Sequence, residues 1–271
     1  MKPELLSALR CPVCGGGFTL SENQKSLICE NRHCYDIAKS GYVNFCGSHG
    51  GDSKEAVAAR REFLAMGYYR GIADAICMLL RQYAPGTLVA DLGCGEGYYG
   101  DIIANAGFSL LGFDLSKPAV EAAAKRKNPN TFYGVGGIFE LPLKDGSVDA
   151  ITNIFAPCAE KEYARVLRDG GCLIVVGAGE DHLHSLKAAI YDTPSKNTPR
   201  ADLPTELYHE GSAKIRYDIR LDSNEKIKQL FAMTPYFYRT DAEGFARLDK
   251  LESIVTEVDV ICEIYKKPTK K

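Results

Sequence analysis

The chain has 271 residues, a formal net charge of −2 and a hydrophobic fraction of 45 %. This composition is typical of a globular protein with a full core, and the near-neutral charge gives no global attraction to nucleic acid, so that such a partner must be bound through local patches. No apolar run approaches the roughly 20 residues of a membrane span, and the N-terminus lacks the apolar core of a secretory signal, so we expect a cytoplasmic protein with no membrane partner.

The first fifth of the chain holds five of its ten cysteines, a clustering that favours a metal site over disulfides. Cys11 and Cys14 form a C-x-x-C pair, and Cys29 and His33 form a second pair at a spacing typical of zinc ligands. Cys34 competes with His33 as the fourth ligand, and the spacing alone does not decide between them. Because four protein ligands leave no position for water, the predicted zinc ion, one per chain, is structural. We assign residues 1–37 to this zinc-binding module.

Residues 38–69 are interpreted as a linker and a connecting helix. The stretch 38–52 is polar, rich in glycine and without periodicity, which predicts a flexible linker. Asp52, with Glu55 three residues later, predicts the N-terminal cap of a helix over 53–66.

From residue 70 to residue 271 the pattern predicts one large domain in which helices and strands alternate, as in a parallel sheet. The predicted strands are 88–92, 110–115, 131–135, 148–155, 172–177, 215–221 and 254–265. The predicted helices are 72–83, 98–106, 118–127, 160–167, 181–191 and 224–233. Segment 192–204 contains three prolines and is interpreted as a loop, a candidate substrate lid. Ligands of such sheets bind at the carboxyl ends of the strands.

The most informative motif follows the first strand of this domain. A strand that carries Asp91 leads into Gly93, Gly95 and Gly97. These glycines let the backbone turn tightly and approach a ligand, and the next helix directs its N-terminal amides towards it. A dinucleotide-binding G-x-G-x-x-G motif would need glycine at position 98, which is Tyr98. The observed G-x-G-x-G spacing is that of methyltransferases that use S-adenosylmethionine, and a purely structural glycine turn is the alternative.

Asp114 ends the second strand, about 20 residues downstream, where a carboxylate can accept both ribose hydroxyls of a nucleoside cofactor. Ser116 fits the N-cap of the next helix and Pro118 fits its first turn, so Asp114 is not needed as a cap. The acids and the three glycines together predict the cofactor site, which comprises Asp91, Gly93, Gly95, Gly97 and Asp114.

Taken together, these features resemble the RlmA family of ribosomal RNA guanine-N1 methyltransferases over nearly the full length of the chain. The resemblance is carried by the Cys11, Cys14, Cys29, His33 quartet, A-K-x-G-Y-V-N at 38–44, G-D-S at 51–53, A-R-R at 59–61, the glycine turn, A-P-C at 156–158 and M-T-P at 233–235. It favours His33 as the fourth zinc ligand. It also implies that the cofactor contacts Tyr69, Gly95, Glu96 and His182.

The fold implied is α/β, a class I S-adenosylmethionine-dependent methyltransferase with a Rossmann-like, mostly parallel seven-stranded sheet and a small N-terminal zinc-binding module. The activity implied is methyl transfer to N1 of a guanine in a hairpin loop of 23S ribosomal RNA, because that edge is paired inside a duplex and has to be presented from a loop or flipped outward. We expect the zinc module to contact the RNA backbone as a second grip.

Related enzymes grip an amino-bearing base between a proline turn and an aromatic ring, so we assign target positioning to Asn153, Phe155 and Pro157 at the end of the fourth strand. The alternative is that Asn153 and Phe155 are ordinary strand-end residues. For the whole protein, the alternatives are a methyltransferase that acts on a small molecule such as a quinone precursor, and an RNA-binding zinc module fused to a degenerate methyltransferase fold. Whether two chains pair as a homodimer is left open by the sequence.

Overall fold

The computed structural model describes residues 1–47, 50–198, 204 and 206–269. The N-terminal segment begins with helix α1 (Pro3–Ala8). Three short strands, β1 (Phe18–Leu20), β2 (Ser26–Cys29) and β3 (Cys34–Asp36), then form an antiparallel sheet in chain order. None of these four short elements was predicted from the sequence.

The rest of the described chain is built around one sheet of eight strands. The strands are β4 (Val43–Asn44), β5 (Leu88–Leu92), β6 (Ser109–Asp114), β7 (Thr131–Val135), β8 (Val148–Ile154), β9 (Leu167–Ala178), β10 (Tyr208–Leu221) and β11 (Ile254–Lys266). Their order is β10–β11–β9–β8–β5–β6–β7–β4, and β11 alone among them runs against its neighbours. All seven predicted strands are present, which confirms the mostly parallel α/β sheet.

Eight helices connect these strands or follow them. They are α2 (Lys54–Ala65), α3 (Arg70–Tyr83), α4 (Tyr98–Asn105), α5 (Lys117–Ala124), α6 (Glu160–Val166), α7 (His184–Ile190), α8 (Asn224–Ala232) and α9 (Ala242–Asp249). The predicted cap of α2 is wrong by one residue, because Ser53 Oγ accepts the N–H of Ala56, whereas the Asp52 carboxylate pairs with Arg60. Ser116 caps α5 as predicted and accepts the N–H of Ala119.

Helix α9 was missed by the sequence analysis, although its cap is readable in the sequence. Asp241 occupies the N-cap and accepts the N–H of Gly244. Helix α7 starts three residues later than predicted, because the chain first makes a turn through His182. In that turn the N–H of His182 donates to the carbonyl of Gly179, and Leu183 has a left-handed φ of 56°.

The segment predicted as a flexible linker is partly built into the sheet, so that prediction is wrong for residues 42–45. Val43 and Asn44 pair with β7 in parallel, and the N–H of Phe45 donates to the carbonyl of Val135. Tyr42, Val43 and Phe45 are buried. Ser48 and His49 lie outside the described residues.

Phe45 joins the N-terminal module to the large sheet. Its ring centroid lies 6.1 Å from that of Phe18 and 5.4 Å from that of Tyr35 in the module. It also lies 6.3 Å from each of Phe113 and Phe132 in the sheet. Aromatic pairs in this range add packing energy beyond the apolar area they bury. The module therefore shares one apolar cluster with the sheet.

Backbone hydrogen bonds reinforce this attachment. The N–H of Arg10 donates to the carbonyl of Pro142 at 2.9 Å, and the N–H of Lys144 donates to the carbonyl of Ala8 at 2.8 Å. The module is thus attached at the end of α1 as well as through Phe45.

Within the described residues, no single helix has both the length and the apolarity needed to cross a membrane. Helices α2 and α3 satisfy both criteria only as a pair, across a bend of 82°.

We expect Phe45→Ala to lower the free energy of unfolding by about 3–5 kcal/mol, because it removes a buried ring that four other rings contact. Urea unfolding followed by circular dichroism would measure this loss, since the chain contains no tryptophan. Phe139, 68 % exposed, provides the control, and Phe139→Ala should stay within about 0.5 kcal/mol of the unmodified protein. Equal effects of the two substitutions would contradict the role assigned to Phe45.

Candidate cofactor and metal sites

The glycine turn after β5 is held by the end of β6. The N–H groups of Gly93 and Cys94 both donate to the carbonyl of Phe113, at 2.9 and 3.1 Å. The N–H of Gly95 donates to Asp114 Oδ2 at 2.9 Å. Because β5 and β6 are neighbouring parallel strands, this arrangement fixes the turn at the carboxyl edge of the sheet.

Each of the three glycines has a left-handed backbone conformation, with φ of 79° at Gly93, 53° at Gly95 and 80° at Gly97. Residues other than glycine rarely adopt this conformation. A Cβ on Gly93 would lie 2.5 Å from Ala156 Cβ, and one on Gly97 would lie 2.8 Å from Ala123 Cβ. A Cβ on Gly95 would meet no described atom within 4 Å. Gly93 and Gly97 are therefore required by packing, whereas a side chain on Gly95 would point into open space.

Asp114 lies beside this open space. Its Oδ1 accepts the N–H of Ser116 at 2.8 Å, and its Oδ2 accepts the N–H of Gly95. Burial raises the pKa of Asp114, and these two amide hydrogen bonds oppose that rise. A carboxylate oxygen accepts more than one hydrogen bond, so each oxygen keeps capacity for a further donor such as a ribose hydroxyl.

Asp91 lies deeper, on β5, with 2 % of its surface exposed. Burial raises its pKa to about 7, although Thr152 Oγ1 donates to Asp91 Oδ1 at 2.8 Å and lowers it. Thr152 belongs to β8, the strand on the other side of β5. A cation brought close to Asp91 would favour its charged form.

Glu96, in the middle of the glycine turn, is buried and held by Arg126. The Arg126 guanidinium forms an ion pair with Glu96 Oε2, and Arg126 Nε donates to the Glu96 carbonyl at 3.0 Å. Glu96 Oε1 is buried and accepts no hydrogen bond from the described residues. A buried acceptor without a donor costs free energy, so this atom fits a bound group that carries N–H or O–H.

Phe155 directly follows β8. The strand order reverses between β5 and β8, and sheets of this type bind ligands at such a reversal. Phe155 has a φ of 53°, and a positive φ is unusual for a bulky residue. Its side chain is 45 % exposed, and its ring stacks on His182 at a centroid distance of 5.8 Å and an interplanar angle of 21°. Strain of this kind is typical of functional positions.

Asn153 and Pro157 are brought together with Phe155, but they have different surroundings. Pro157 is exposed. Asn153 is fully buried, and its amide nitrogen donates to the Pro157 carbonyl and to Tyr163 Oη, both at 2.6 Å. Asn153 therefore shapes the proline turn from beneath, and any effect of Asn153 on a target base would pass through that turn.

His182 is buried in the turn before α7. Its Nδ1 accepts the N–H of Asp259 at 3.3 Å, and burial lowers its pKa to about 4. The imidazole is therefore neutral at physiological pH, with its proton on Nε2. The ring of Tyr69, which is also buried, lies 6.2 Å from it. The structure thus brings Tyr69, Phe155 and His182 together.

A hydrogen-bonded hub centred on Asn197 supports this group, and the sequence analysis did not identify it. Asn197 Nδ2 donates to the carbonyls of Gly179 and His182, both at 2.9 Å. Asn197 Oδ1 accepts from Lys187 Nζ at 2.7 Å and from Tyr236 Oη at 2.9 Å. These partners lie 10 to 39 residues from Asn197 in the sequence, and the sequence signals near them were His182 itself and the M-T-P segment just before Tyr236.

The hub fastens the first part of the proline-rich loop to the His182 turn. Residues 199–203 of the predicted loop, the candidate substrate lid, lie outside the described residues.

The four predicted metal ligands converge at the N-terminal module. Their sulfur and nitrogen ligand atoms all lie within 4.8 Å of one another. Cys14 Sγ is 3.6 Å from Cys29 Sγ, and His33 Nδ1 is 3.3 Å from Cys29 Sγ and 3.6 Å from Cys11 Sγ. Ligand atoms around a tetrahedral zinc ion lie about 3.5 to 3.8 Å apart, so the set fits one structural zinc ion. Cys34 is exposed on β3 and is not part of the cluster, so the geometry favours His33.

Local backbone geometry explains why the two pairs of ligands converge. In the first turn Gly15 has a φ of 74° and donates its N–H to the Cys11 carbonyl at 2.8 Å. A hydrogen bond from the backbone of Gly16 is the largest effect that lowers the pKa of Cys14, to about 6. This favours the thiolate, which is the form that binds metal.

Both segments that hold these candidate sites match family models. Residues 9–54 match the family model described as "RlmA, N-terminal", a zinc ribbon, and residues 90–175 match the model described as "Methyltransferase domain". A putative 23S rRNA (guanine-N(1)-)-methyltransferase of Micromonospora griseorubida is 34 % identical over 94 % of this chain and 96 % of its own length. The 23S rRNA (guanine(748)-N(1))-methyltransferase of Streptomyces fradiae is 31 % identical over 91 % of both chains. Among solved structures, the YcgJ protein of Bacillus subtilis aligns over 71 % of this chain and 97 % of its own, with 17 % identity and a TM-score of 0.48.

We expect the purified protein to contain one zinc ion per chain, and His33→Ala to lose it and unfold at a lower temperature, because metal binding stabilises a module with little core of its own. Metal analysis by mass spectrometry and a thermal melt would measure both effects. Cys34→Ser is the matched control and should retain the metal. Loss of zinc from Cys34→Ser but not from His33→Ala would reverse the assignment of the fourth ligand.

The low pKa of His182 predicts a pH dependence of stability. The unfolded imidazole, with a pKa near 6.5, binds a proton between about pH 6.5 and 4, whereas the folded one does not, so stability falls as the pH drops through this window. From pH 7.5 to 5.5 this group should contribute a loss of about 1 kcal/mol.

Urea unfolding of the unmodified protein and of His182→Gln at both pH values would isolate this contribution, since the two proteins differ only at this residue. An identical pH dependence in both would show that His182 is not held neutral by the fold.

Proposed function

Because this chain belongs to the RlmA family of 23S rRNA (guanine-N1)-methyltransferases, we propose that it transfers a methyl group from S-adenosylmethionine to N1 of a guanine in 23S ribosomal RNA. The observation that carries this proposal is the presence, in one chain, of a Cys₃His cluster and a glycine turn that borders open space. A methyltransferase for small molecules shares the glycine turn, but the match to the zinc ribbon over residues 9–54 favours the RNA enzyme.

In this proposal the residues around the glycine turn hold the cofactor. Asp114 would accept the ribose hydroxyls with the capacity that Gly95 and Ser116 leave free. Asp91, buried and with a raised pKa, would face positive charge. Glu96 Oε1, which has no donor among the described residues, would accept a hydrogen bond from the cofactor. Tyr69 and His182 would also contact the cofactor.

When bound, S-adenosylmethionine supplies an electrophilic methyl group on a positively charged sulfur. The remaining task of the protein is to align the acceptor nitrogen and exclude water, which are effects of position. The proton of the neutral His182 is on Nε2, because its Nδ1 already accepts the N–H of Asp259. His182 is therefore a positioning residue and not the acceptor of the proton that leaves guanine N1.

The exposed part of the Phe155 ring and the exposed Pro157 are proposed to grip the target base. Phe155 is supported from behind by the His182 ring, and Asn153 holds the carbonyl of Pro157. An unpaired base is recognised in RNA largely by stacking on aromatic side chains. This division makes Phe155 and Pro157 the contact residues and Asn153 their support.

The proposal also specifies the part of the RNA that is bound. Guanine N1 is paired within a duplex, so the expected target is an unpaired guanine in a hairpin loop. The zinc module would contact the RNA backbone. A ribosomal RNA substrate is consistent with the expected cytoplasmic location. A homodimer remains a prediction, which light scattering of the purified protein would test.

We expect the unmodified protein to produce a primer-extension stop on protein-free 23S ribosomal RNA only when S-adenosylmethionine is present, because a methyl group on N1 blocks base pairing. Gly95→Ala should reduce methylation about 100-fold, since its Cβ would enter the cofactor space and displace the reactants. Titration calorimetry should show weaker binding of S-adenosylmethionine to this variant.

Gly146 is a matched control, because it has a similar φ of 57° and only an ordinary contact, at 3.8 Å, for an added Cβ. Gly146→Ala should retain both activity and cofactor binding. A stop pattern that does not change on adding the unmodified protein and cofactor would favour the small-molecule alternative.

A further inference from the structure

A turn after α8 presents aromatic and cationic side chains to solvent. Residues 234–239 read T-P-Y-F-Y-R, and they begin inside the M-T-P segment at 233–235. Tyr238 is 76 % exposed and Phe237 is 37 % exposed. Arg239 is exposed as well. We call residues 234–239 the aromatic turn.

The aromatic turn is supported by edge-to-face contacts between aromatic rings. The Phe237 ring lies 5.3 Å from Tyr238 at an interplanar angle of 86°, and 5.7 Å from Phe245 at 87°. It also contacts Phe231, which is buried, at 5.8 Å. A ring that is already placed by its neighbours loses little conformational freedom when a ligand stacks on it.

Hydrogen bonds within the turn restrict its backbone. Thr234 Oγ1 donates to the carbonyl of Phe231 at 2.7 Å, and the N–H of Arg239 donates to the carbonyl of Tyr236 at 2.9 Å. Thr240 Oγ1 donates to the same Tyr236 carbonyl at 2.9 Å. The backbone that carries the exposed rings is therefore restrained by hydrogen bonds.

The aromatic turn is continuous with the proposed catalytic pocket. Tyr236 Oη donates to Asn197 Oδ1, and Asn197 Nδ2 donates to the His182 carbonyl. The His182 ring in turn stacks on Phe155. Three direct contacts thus connect the turn to the ring proposed to grip the target base, at the edge of the sheet where β8 and β9 end.

The chemistry of the turn matches single-stranded RNA. Aromatic faces stack on unpaired bases of any sequence, and a guanidinium binds phosphate. In the part of the chain that the structure describes, no carboxylate pairs with Arg239. Three features are therefore combined here: an exposed aromatic ring, a guanidinium without a carboxylate partner among the described residues, and a series of contacts that leads to the pocket. Such a combination is typical of a nucleotide-binding surface.

We propose that Tyr238 stacks on an unpaired nucleotide next to the target guanine, while Arg239 contacts the RNA backbone beside it. This inference rests on the proposed function, since it identifies a second contact of the same RNA loop. The partner is RNA, and a second copy of this chain bound through the same rings is the competing outcome.

The test compares Tyr238→Ala, Tyr238→Phe and the control Tyr208→Ala, all with wild-type protein alongside. Tyr208 is half exposed, at the start of β10 on the opposite edge of the sheet. The probes are protein-free 23S ribosomal RNA for methylation and, for filter binding, the hairpin fragment around the guanine at which primer extension stops.

Tyr238→Ala should weaken RNA binding and raise the KM for RNA about 5- to 100-fold, with kcat and the affinity for S-adenosylmethionine unchanged. Tyr238→Phe, which keeps the ring, and Tyr208→Ala should behave like the wild type. Arg239→Ala should lower the slope of log Kd against log salt concentration by about one, the value of one phosphate contact.

The outcomes separate this inference from the proposed function. If the wild type methylates the RNA and Tyr238→Ala binds and methylates it equally well, this inference alone is overturned. A fall in kcat with unchanged RNA affinity would overturn it too, as would a Tyr238→Ala protein that differs from the wild type only in oligomeric state by light scattering. If the wild type neither binds nor methylates the RNA, the proposed function fails and this inference fails with it.

Discussion

The end of strand β6 is the point on which the proposed cofactor site depends. The carbonyl of Phe113 accepts the N–H groups of Gly93 and Cys94, and the carboxylate of Asp114 accepts those of Gly95 and Ser116. Four backbone amides of two separate loops are therefore oriented by two adjacent residues. Hydrogen bonds to a carboxylate are stronger than those between neutral groups, so the turn is arranged before any ligand arrives.

Phe113 also connects this turn to the metal module. Its carbonyl holds the glycine turn, whereas its ring packs on Phe45, which in turn contacts Phe18 and Tyr35 of the module. The packing is tight, because a Cβ on Gly134 would lie 2.8 Å from the Phe113 ring and 2.9 Å from the Phe45 ring. The zinc module is therefore linked through Phe45 to the same residue whose carbonyl holds the proposed cofactor loop.

The proposed base-binding side of the pocket is built differently, from a stack of rings on a polar hub. Phe155 stacks on His182, and the carbonyl of His182 is held by Asn197. Burial keeps His182 neutral, which suits a ring that stacks on a neutral aromatic and accepts the N–H of Asp259. The same hub holds Tyr236 at the start of the exposed rings of the aromatic turn, so one polar side chain orients both proposed contacts with RNA.

The sequence by itself determined the features that depend on short-range pattern. Alternation of apolar segments predicted the seven main strands, the spacing of Gly93, Gly95 and Gly97 predicted the turn, and a strand ending in Asp114 predicted the second acid. Only the tertiary structure decided the features that depend on contacts between distant segments. It favoured His33 over Cys34 as the fourth ligand, because Cys34 is exposed on β3 and lies outside the cluster of ligand atoms. It placed residues 43–44 at the edge of the sheet beside β7. It also brought Asn197 to a turn fifteen residues earlier and to Tyr236 thirty-nine residues later. The physical reason is that glycine conformation, strand period and ligand spacing are properties of a few neighbouring residues, whereas the partner of a buried amide or an aromatic ring is settled only when the chain packs.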